Sequence, residues 1–157
     1  SDDEPRSDDE PREGAKDFPM TDYSADEREL LDACATYRAH VDDLGDETLR
    51  RVIYQQAKLA MMHNRFAEAE PLLRELHSAP GNDAIHVWGA EMLTDILTIR
   101  WIDPDLSAAE SVAAANALEA WLLELKGTPL LEHEQAGRLR EAVDALLNGL
   151  AWKYSQE

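Results

Sequence analysis

Cysteine is almost absent from the sequence, which limits the ways in which the fold can be held together. Cys34 is the one cysteine among 157 residues, so no disulfide can form within the chain. It lies near Leu30, Leu31 and Tyr37 on the apolar side of a predicted helix, which is typical of a small buried residue rather than a reactive thiol. The lack of disulfides favours a cytoplasmic location without requiring it. Export stays open, because the chain begins at Ser1 and an upstream signal could have been removed.

Two kinds of hydrophobic pattern are also missing. No apolar run approaches the ~20 residues that span a bilayer. No stretch alternates apolar with polar residues for long enough to indicate a strand. Valine and isoleucine are sparse, and the hydrophobic fraction of 44% is dominated by alanine and leucine, which favour helices. The sequence therefore predicts an all-α protein of one domain with a modest extension.

Positive charge is scarce, with 15 lysines and arginines against 33 acidic residues and a formal net charge of −18. Nucleic acids and anionic membranes bind to clusters of lysine and arginine, so this balance disfavours both as partners. Residues 1–22 contain nine acids and three bases, a net charge of −6, which leaves −12 on the remainder. A solvated surface explains this charge, and the alternative is an acidic docking face for a partner protein with a basic or mixed-charge surface.

Motifs that indicate catalysis or metal binding are missing as well. None of the five histidines lies three residues after a glutamate or in a His-Glu-x-x-His motif. The run from Asp42 to Asp46 matches an Asp-Asp-x-x-Asp motif of isoprenoid enzymes, which hold magnesium and a diphosphate. Gly45 within it is typical of a helix end, however, and a second acidic motif is absent. We therefore expect no catalytic residue, no cofactor and no metal.

The chain begins with an acidic repeat. Ser1-Asp-Asp-Glu-Pro-Arg6 recurs unchanged over residues 7–12. Low hydrophobicity, prolines and like charges predict a mostly disordered linker over residues 1–23, followed by a helical domain over residues 24–157. Phe18, Met20 and Tyr23 are the first apolar side chains and are expected to pack the end of the linker against the domain.

Local signals divide this domain into about six helices. Ser24 with Glu27 and Ser107 with Glu110 form capping boxes, which predict the starts of the first and fifth helices. Asp46 is predicted to cap the second helix.

Further boundaries follow from glycine, asparagine and proline. Gly45 is predicted to end the first helix and Asn64 to cap the third. The fourth helix, from about residue 84 to about 100, carries apolar residues on more than one face and is expected to be the most buried. Thr128-Pro129 is predicted to start the last helix.

Residues 49–80 contain two amphipathic helices whose apolar faces oppose each other. The first has apolar residues at helical spacing at Val52, Ile53, Ala57, Ala60 and Met61. The second repeats that spacing at Phe66, Ala69, Leu72, Leu73 and Leu76. Since Ala57 and Ala69 are small where the helices cross, we expect a closely packed helical hairpin.

This hairpin resembles a tetratricopeptide repeat (TPR), over about one repeat of ~34 residues. The positions that match the family pattern are Ala57, Phe66, Ala69 and Leu73, and Pro80 lies one residue before the position of the family's terminal proline. The sequence departs from the pattern at Ile53, Gln56 and Ala60, where the family has tryptophan, leucine and tyrosine. The resemblance implies a TPR-like right-handed array of antiparallel helical hairpins, acting as a non-catalytic interaction or scaffold module within a larger assembly.

The resemblance also implies where a partner binds. In TPR arrays the first helix of each pair lines a concave groove, which predicts that Arg51, Tyr54, Lys58 and Met62 contact a peptide or partner subunit. Arg51 and Lys58 would pair with acidic groups of that ligand.

The four tryptophans are further candidates, because tryptophan anchors both cores and interfaces. Trp101 lies at a helix end and Trp152 near the C-terminus, so both are predicted to bind a partner. Trp88 and Trp121 lie within apolar stripes and are predicted to be core residues.

Two other functions stay open. A small helical-bundle enzyme or metal-binding protein would need paired ligands that the sequence does not show. A purely structural oligomer subunit would need an exposed apolar surface for self-association.

Overall fold

The computed structural model describes residues 17–156, which form six α-helices and one short 3-10 helix and contain no strand. In chain order the elements are α1 (Ala25–His40), α2 (Glu47–Met62), α3 (Phe66–Ser78), α4 (Ala84–Trp101), α5 (Ala108–Lys126), the 3-10 helix (Pro129–Glu132) and α6 (Gly137–Ser155). The predictions of an all-α chain and of about six helices are confirmed. Within residues 17–156, none of the helices has the length and apolar composition needed to cross a bilayer.

The predicted helix starts of α1, α2 and α5 are confirmed by their caps. The Glu27 N–H donates to Ser24 Oγ at 3.1 Å, and the Glu27 carboxylate accepts from the Ser24 N–H at 2.8 Å. Ser107 and Glu110 form the same capping box. Asp46 Oδ1 accepts from the Leu49 N–H at 2.7 Å. These bonds satisfy backbone donors that have no partner within the helix.

The predicted end of α1 at Gly45 is wrong. The helix ends at His40, and Val41 already has extended backbone angles of φ −130° and ψ 116°. This change of direction brings Val41 and Leu44 against a small cluster of buried apolar side chains at Leu49, Ile53 and Leu76. Burial of the two side chains at this cluster favours the earlier helix end.

Asn64 is not the N-cap of α3, and that prediction is also wrong. Its backbone lies in the left-handed region at φ 55°, which asparagine tolerates better than most residues. Its side-chain amide donates instead to the Pro19 carbonyl oxygen at 2.9 Å. Arg65 is the N-cap of α3 and makes no side-chain capping bond.

The last helix also starts later than predicted. Pro129 begins the 3-10 helix, whose first turn is capped by Thr128 Oγ1 accepting from the Leu130 N–H at 3.3 Å. The 3-10 helix ends at Glu132, and α6 begins at Gly137. Leu130 and Ala136 are both buried in the main core, which favours two separate elements over one long helix.

The predicted hairpin forms between α2 and α3, which pack against each other across the short turn of residues 63–65. Ala57 and Ala69 have no exposed surface, and Phe66 beside them is 1% exposed. Two small buried residues on facing helices allow a close approach of the backbones.

Helix α4 occupies the centre of the fold. It contacts α2, α3, α5, α6 and the 3-10 helix, and eight of its residues are buried, more than in any other helix described. A Cβ atom at Gly89 would lie 3.0 Å from Leu76 Cδ2, so glycine permits the close approach of α3. Inside the core, Trp121 Nε1 donates to Thr94 Oγ1 at 2.9 Å, which satisfies both polar groups.

The chain just before α1 lies against the turn between α2 and α3. The Thr21 N–H donates to the His63 carbonyl oxygen at 3.0 Å, and Arg65 Nε donates to the Thr21 carbonyl oxygen at 2.9 Å. The Phe18 ring meets the Phe66 ring edge-on at a centroid distance of 6.2 Å. Part of the predicted linker, residues 17–23, therefore contacts the helices, and its remainder, residues 1–16, lies outside the described residues.

The close approach of α2 and α3 predicts the effect of enlarging Ala69. Ala69→Leu is expected to overpack the hairpin and lower the free energy of unfolding by roughly 1–3 kcal/mol, measured by urea denaturation. Ala67→Leu in the same helix is the matched control, because Ala67 is exposed. Equal stability of the Ala69 variant and the parent would show that the helices do not cross closely there.

The contacts of residues 18–22 predict a stepwise effect of truncation. Removal of residues 1–16 is expected to leave the thermal midpoint nearly unchanged, because that segment has little apolar surface to bury. Removal of residues 1–23 is expected to lower the midpoint by roughly 5 °C, because the Phe18 contact and several hydrogen bonds are lost. A midpoint unaffected by the longer truncation would rule out this stabilising role.

Candidate functional site

An open groove runs along the side of the protein where α2, α4 and α6 approach one another. Its central section has a volume of about 510 Å³. Helix α2 contributes Tyr54 and Lys58 to the lining, and α6 contributes Arg138. The remaining lining residues lie on α4 and α6, and none lies on α3 or α5. We call this feature the α2–α4–α6 groove.

Two neighbouring depressions extend the groove along α2. One of about 450 Å³ shares Tyr54 and Trp88 with the central section and reaches Glu47 at the start of α2. The other, of about 400 Å³, shares Asp95 and reaches Met61 near the end of α2. The distance along the helix from residue 47 to residue 61 is about 21 Å at 1.5 Å per residue. That length matches about six residues of an extended peptide at ~3.3 Å each.

One side of α4 forms the middle of the groove. Glu91 and Met92 lie three and four residues after Trp88, and Asp95 lies four and three residues after them, which places all four on the same side of the helix. Trp88 is 40% exposed, so its prediction as a core residue is wrong. The apolar residues of α4 cover more than one face, and Trp88 falls on the face that opens onto the groove. Trp121, by contrast, is 2% exposed, as predicted.

Tyr54 and Trp88 form an aromatic pair across the groove. Their ring centroids are 6.0 Å apart, with an angle of 43° between the ring planes. Burial raises the pKa of Tyr54, and the negative charge of Glu91 adds to that effect. The hydroxyl therefore stays protonated at neutral pH and can donate a hydrogen bond.

Glu91, which is partly buried, and Asp95, which is exposed, are the two carboxylates that line the central section of the groove. Burial raises the pKa of both groups, and the positive charge of Arg138 offsets only part of this rise. Each carboxylate also lacks a hydrogen bond or an ion pair within 4 Å among residues 17–156. A carboxylate without a close partner costs free energy when burial disfavours its charge. Acidic residues with shifted pKa values in a cleft are typical of functional sites.

The structure brings only some of the sequence-predicted site residues into the groove. Tyr54 and Lys58 line its centre. Arg51 lines the adjoining depression, where it pairs with Glu47 at 2.8 Å. Both partners are about two-thirds exposed, at 67% and 66%, so this pair contributes only ~0–1 kcal/mol. Met62 is 63% exposed at the end of α2 and is not among the lining residues of these three depressions.

The two predicted interface tryptophans lie outside the groove lining. Trp101 packs against the main core, and Lys153 Nζ lies 5.2 Å from the centroid of its ring. Trp152 is 68% exposed near the end of α6. A role for either residue in partner binding stays a prediction.

Sequence reasoning missed Trp88, Glu91, Asp95 and Arg138. The first three follow the three- and four-residue spacing of one helix face, and that spacing could have grouped them. Nothing in the sequence places Arg138 beside them, because its position depends on how α6 packs against α4.

Within residues 17–156, no group of three or more histidines, cysteines or acidic residues is placed to hold a metal ion. Comparison of the chain with protein-family models, curated proteins and solved structures finds no match. The groove itself is therefore the basis for a functional hypothesis.

The raised pKa values of Glu91 and Asp95 predict a pH-dependent stability difference. A carboxyl group whose pKa is higher in the folded state than in the unfolded chain lowers the stability of the fold when it is ionised. This loss develops as the pH rises from the pKa of the unfolded chain through the higher pKa of the folded state. The variant Glu91→Gln/Asp95→Asn removes this cost. It is expected to have a higher thermal midpoint than the parent at pH 7, and the difference is expected to shrink below about pH 4.

The matched control is Glu29→Gln/Asp32→Asn, which removes one glutamate and one aspartate from exposed positions on α1. It corrects for the general effect of lowering a large negative net charge. If both double variants raise the midpoint at pH 7 equally, the groove carboxylates carry no special cost.

Proposed function

We propose that this protein is a non-catalytic interaction module with a TPR-like arrangement of helical hairpins, and that it binds a peptide or partner segment in the α2–α4–α6 groove. The succession of helix contacts supports the arrangement. Helix α2 contacts α4, and α4 contacts α6, while each of these helices also packs against its neighbour in sequence. Every second helix therefore lines one surface, as the first helices of successive repeats do in a TPR array.

The main support for this proposal is the exposed pair of aromatic side chains in the groove. Tryptophan and tyrosine are enriched among the residues that contribute most to protein–protein binding. Trp88 keeps 40% of its surface exposed although the fold offers a large core. It lies beside Tyr54 in a groove of about 510 Å³, where a bound segment would cover both rings.

The charges around this pair suit a polypeptide ligand. Lys58 on α2 and Arg138 on α6 flank the two carboxylates of α4, so the groove presents both signs of charge over a short distance. An extended segment has backbone donors and acceptors along with side chains of either sign, and such a groove can satisfy several of them at once. Arg51 and Lys58 keep their proposed role as contacts for acidic groups of the partner.

The test is capture of a partner from the source cells, followed by a binding titration with the partner protein that is identified. Trp88→Ala is expected to weaken binding by at least tenfold, because truncation of a central aromatic anchor typically costs ~2 kcal/mol or more. Arg51→Ala/Lys58→Ala is expected to weaken it by a smaller factor, since exposed ion pairs contribute little.

The matched control is Trp152→Ala, which truncates an exposed tryptophan outside the groove lining. Full binding by this variant together with loss of binding by Trp88→Ala supports the groove. The reverse result would place the interface at the end of α6 and would contradict the proposed site.

A further inference from the structure

The chemistry of the groove also indicates which kind of side chain it receives. Trp88, Glu91 and Asp95 lie at positions i, i+3 and i+7 of α4, so an indole ring and two carboxylates point from one helix face toward the same space. Tyr54 faces them from α2, with its ring centroid 6.0 Å from that of Trp88. Two aromatic rings and two carboxylates therefore line the same section of the groove.

We propose that this part of the groove receives a lysine or arginine side chain of the bound segment, held between the Tyr54–Trp88 ring pair and the carboxylates of Glu91 and Asp95. This inference rests on the proposed function. It adds the chemistry of the partner, which is a peptide segment with a basic residue at one defined position.

Charge complementarity carries the argument. Among residues 17–156, neither carboxylate has a cationic nitrogen within 4 Å, and Arg138 influences both only from a greater distance. An incoming ammonium or guanidinium group supplies the missing counter-charge. It also forms charge-assisted hydrogen bonds with acceptors that have no protein donor among the described residues.

The Tyr54–Trp88 pair also favours a cationic side chain. The face of a tryptophan or tyrosine ring attracts a cation, most strongly when water is partly excluded from the site. Burial around Tyr54 and Glu91, which raises the pKa of both groups, indicates such partial exclusion. The long aliphatic stem of lysine or arginine can lie along the rings while its charged end reaches the carboxylates.

An acidic side chain is disfavoured at this position. It would approach two carboxylates on the same helix face, and Glu91 and Asp95 already repel each other. The net charge of −18 further favours the approach of a basic segment over an acidic one. Lys58 and Arg138 lie at the sides of the groove, on α2 and α6, where they can contact acidic groups elsewhere on the same segment.

The experiment is a selection of displayed random decapeptides on the chain of residues 1–157, at about 0.1 M salt to limit non-specific attraction. Selected sequences are expected to carry lysine or arginine at one common position. The strongest binder and its Lys→Gln or Arg→Gln form are then synthesised. Their affinities are measured by fluorescence anisotropy for the parent, for Glu91→Gln/Asp95→Asn and for the control Glu29→Gln/Asp32→Asn.

The basic peptide is expected to bind the groove double variant about tenfold more weakly than the parent, and the control variant as tightly as the parent. The glutamine peptide is expected to bind the parent and the groove double variant equally well. This non-additive pattern measures the coupling between the basic side chain and the two carboxylates. Thermal unfolding of each variant confirms that the comparison is made between folded proteins.

Two contrary results have different meanings. In the first, peptides bind and Trp88→Ala abolishes their binding, but no basic residue is enriched, or the effects of the peptide substitution and of Glu91→Gln/Asp95→Asn are additive. That result overturns the inference, and the groove remains a binding site. If no selected peptide depends on Trp88, the proposed function fails, and the inference fails with it.

Discussion

The central position of α4 is the constraint on which the other features depend. This helix carries apolar residues around most of its circumference, so α2, α3, α5 and α6 must cover it to remove that surface from water. The covering is incomplete on one side, where Trp88, Glu91, Met92 and Asp95 follow one helix face. The groove is therefore a consequence of how four helices surround a fifth.

The groove also contains side chains that a fold selected for stability alone would avoid. A tryptophan that is 40% exposed loses burial that the core could supply, and two carboxylates with raised pKa values and no close partner cost free energy. Other polar groups of the described chain are paired, as in the capping boxes and the Thr94–Trp121 hydrogen bond. Within residues 17–156, three buried side-chain nitrogens, those of Arg50, His77 and Trp101, have no hydrogen-bond partner. Local departures from good stability in a cleft are typical of binding sites.

Much of the fold could be predicted from sequence signals within single helices. The features that were not predicted depend on tertiary packing. The capping boxes and the α2–α3 stripes depend on residues a few positions apart, so the sequence alone predicts them. Asn64 was misassigned because asparagine suits both an N-cap and a left-handed turn. Its positive φ and its bond to Pro19 identify the turn. Trp88 was misassigned because a helix that is apolar on several faces gives no periodic signal of which face stays uncovered. Arg138 joins the site only through the packing of α6.

The four tryptophans allow one direct test of the claim that the uncovered face of α4 binds the partner. Their indole N–H groups give separate nuclear magnetic resonance signals, and the structure places Trp88 in the groove, Trp121 in the core and Trp152 at the exposed end of α6. The measurement is a titration of the isotope-labelled chain with the segment of the partner that binds it. If the partner binds the uncovered face of α4, the Trp88 signal shifts while those of Trp121 and Trp152 stay in place. A shift of the Trp152 signal with an unchanged Trp88 signal would contradict this claim.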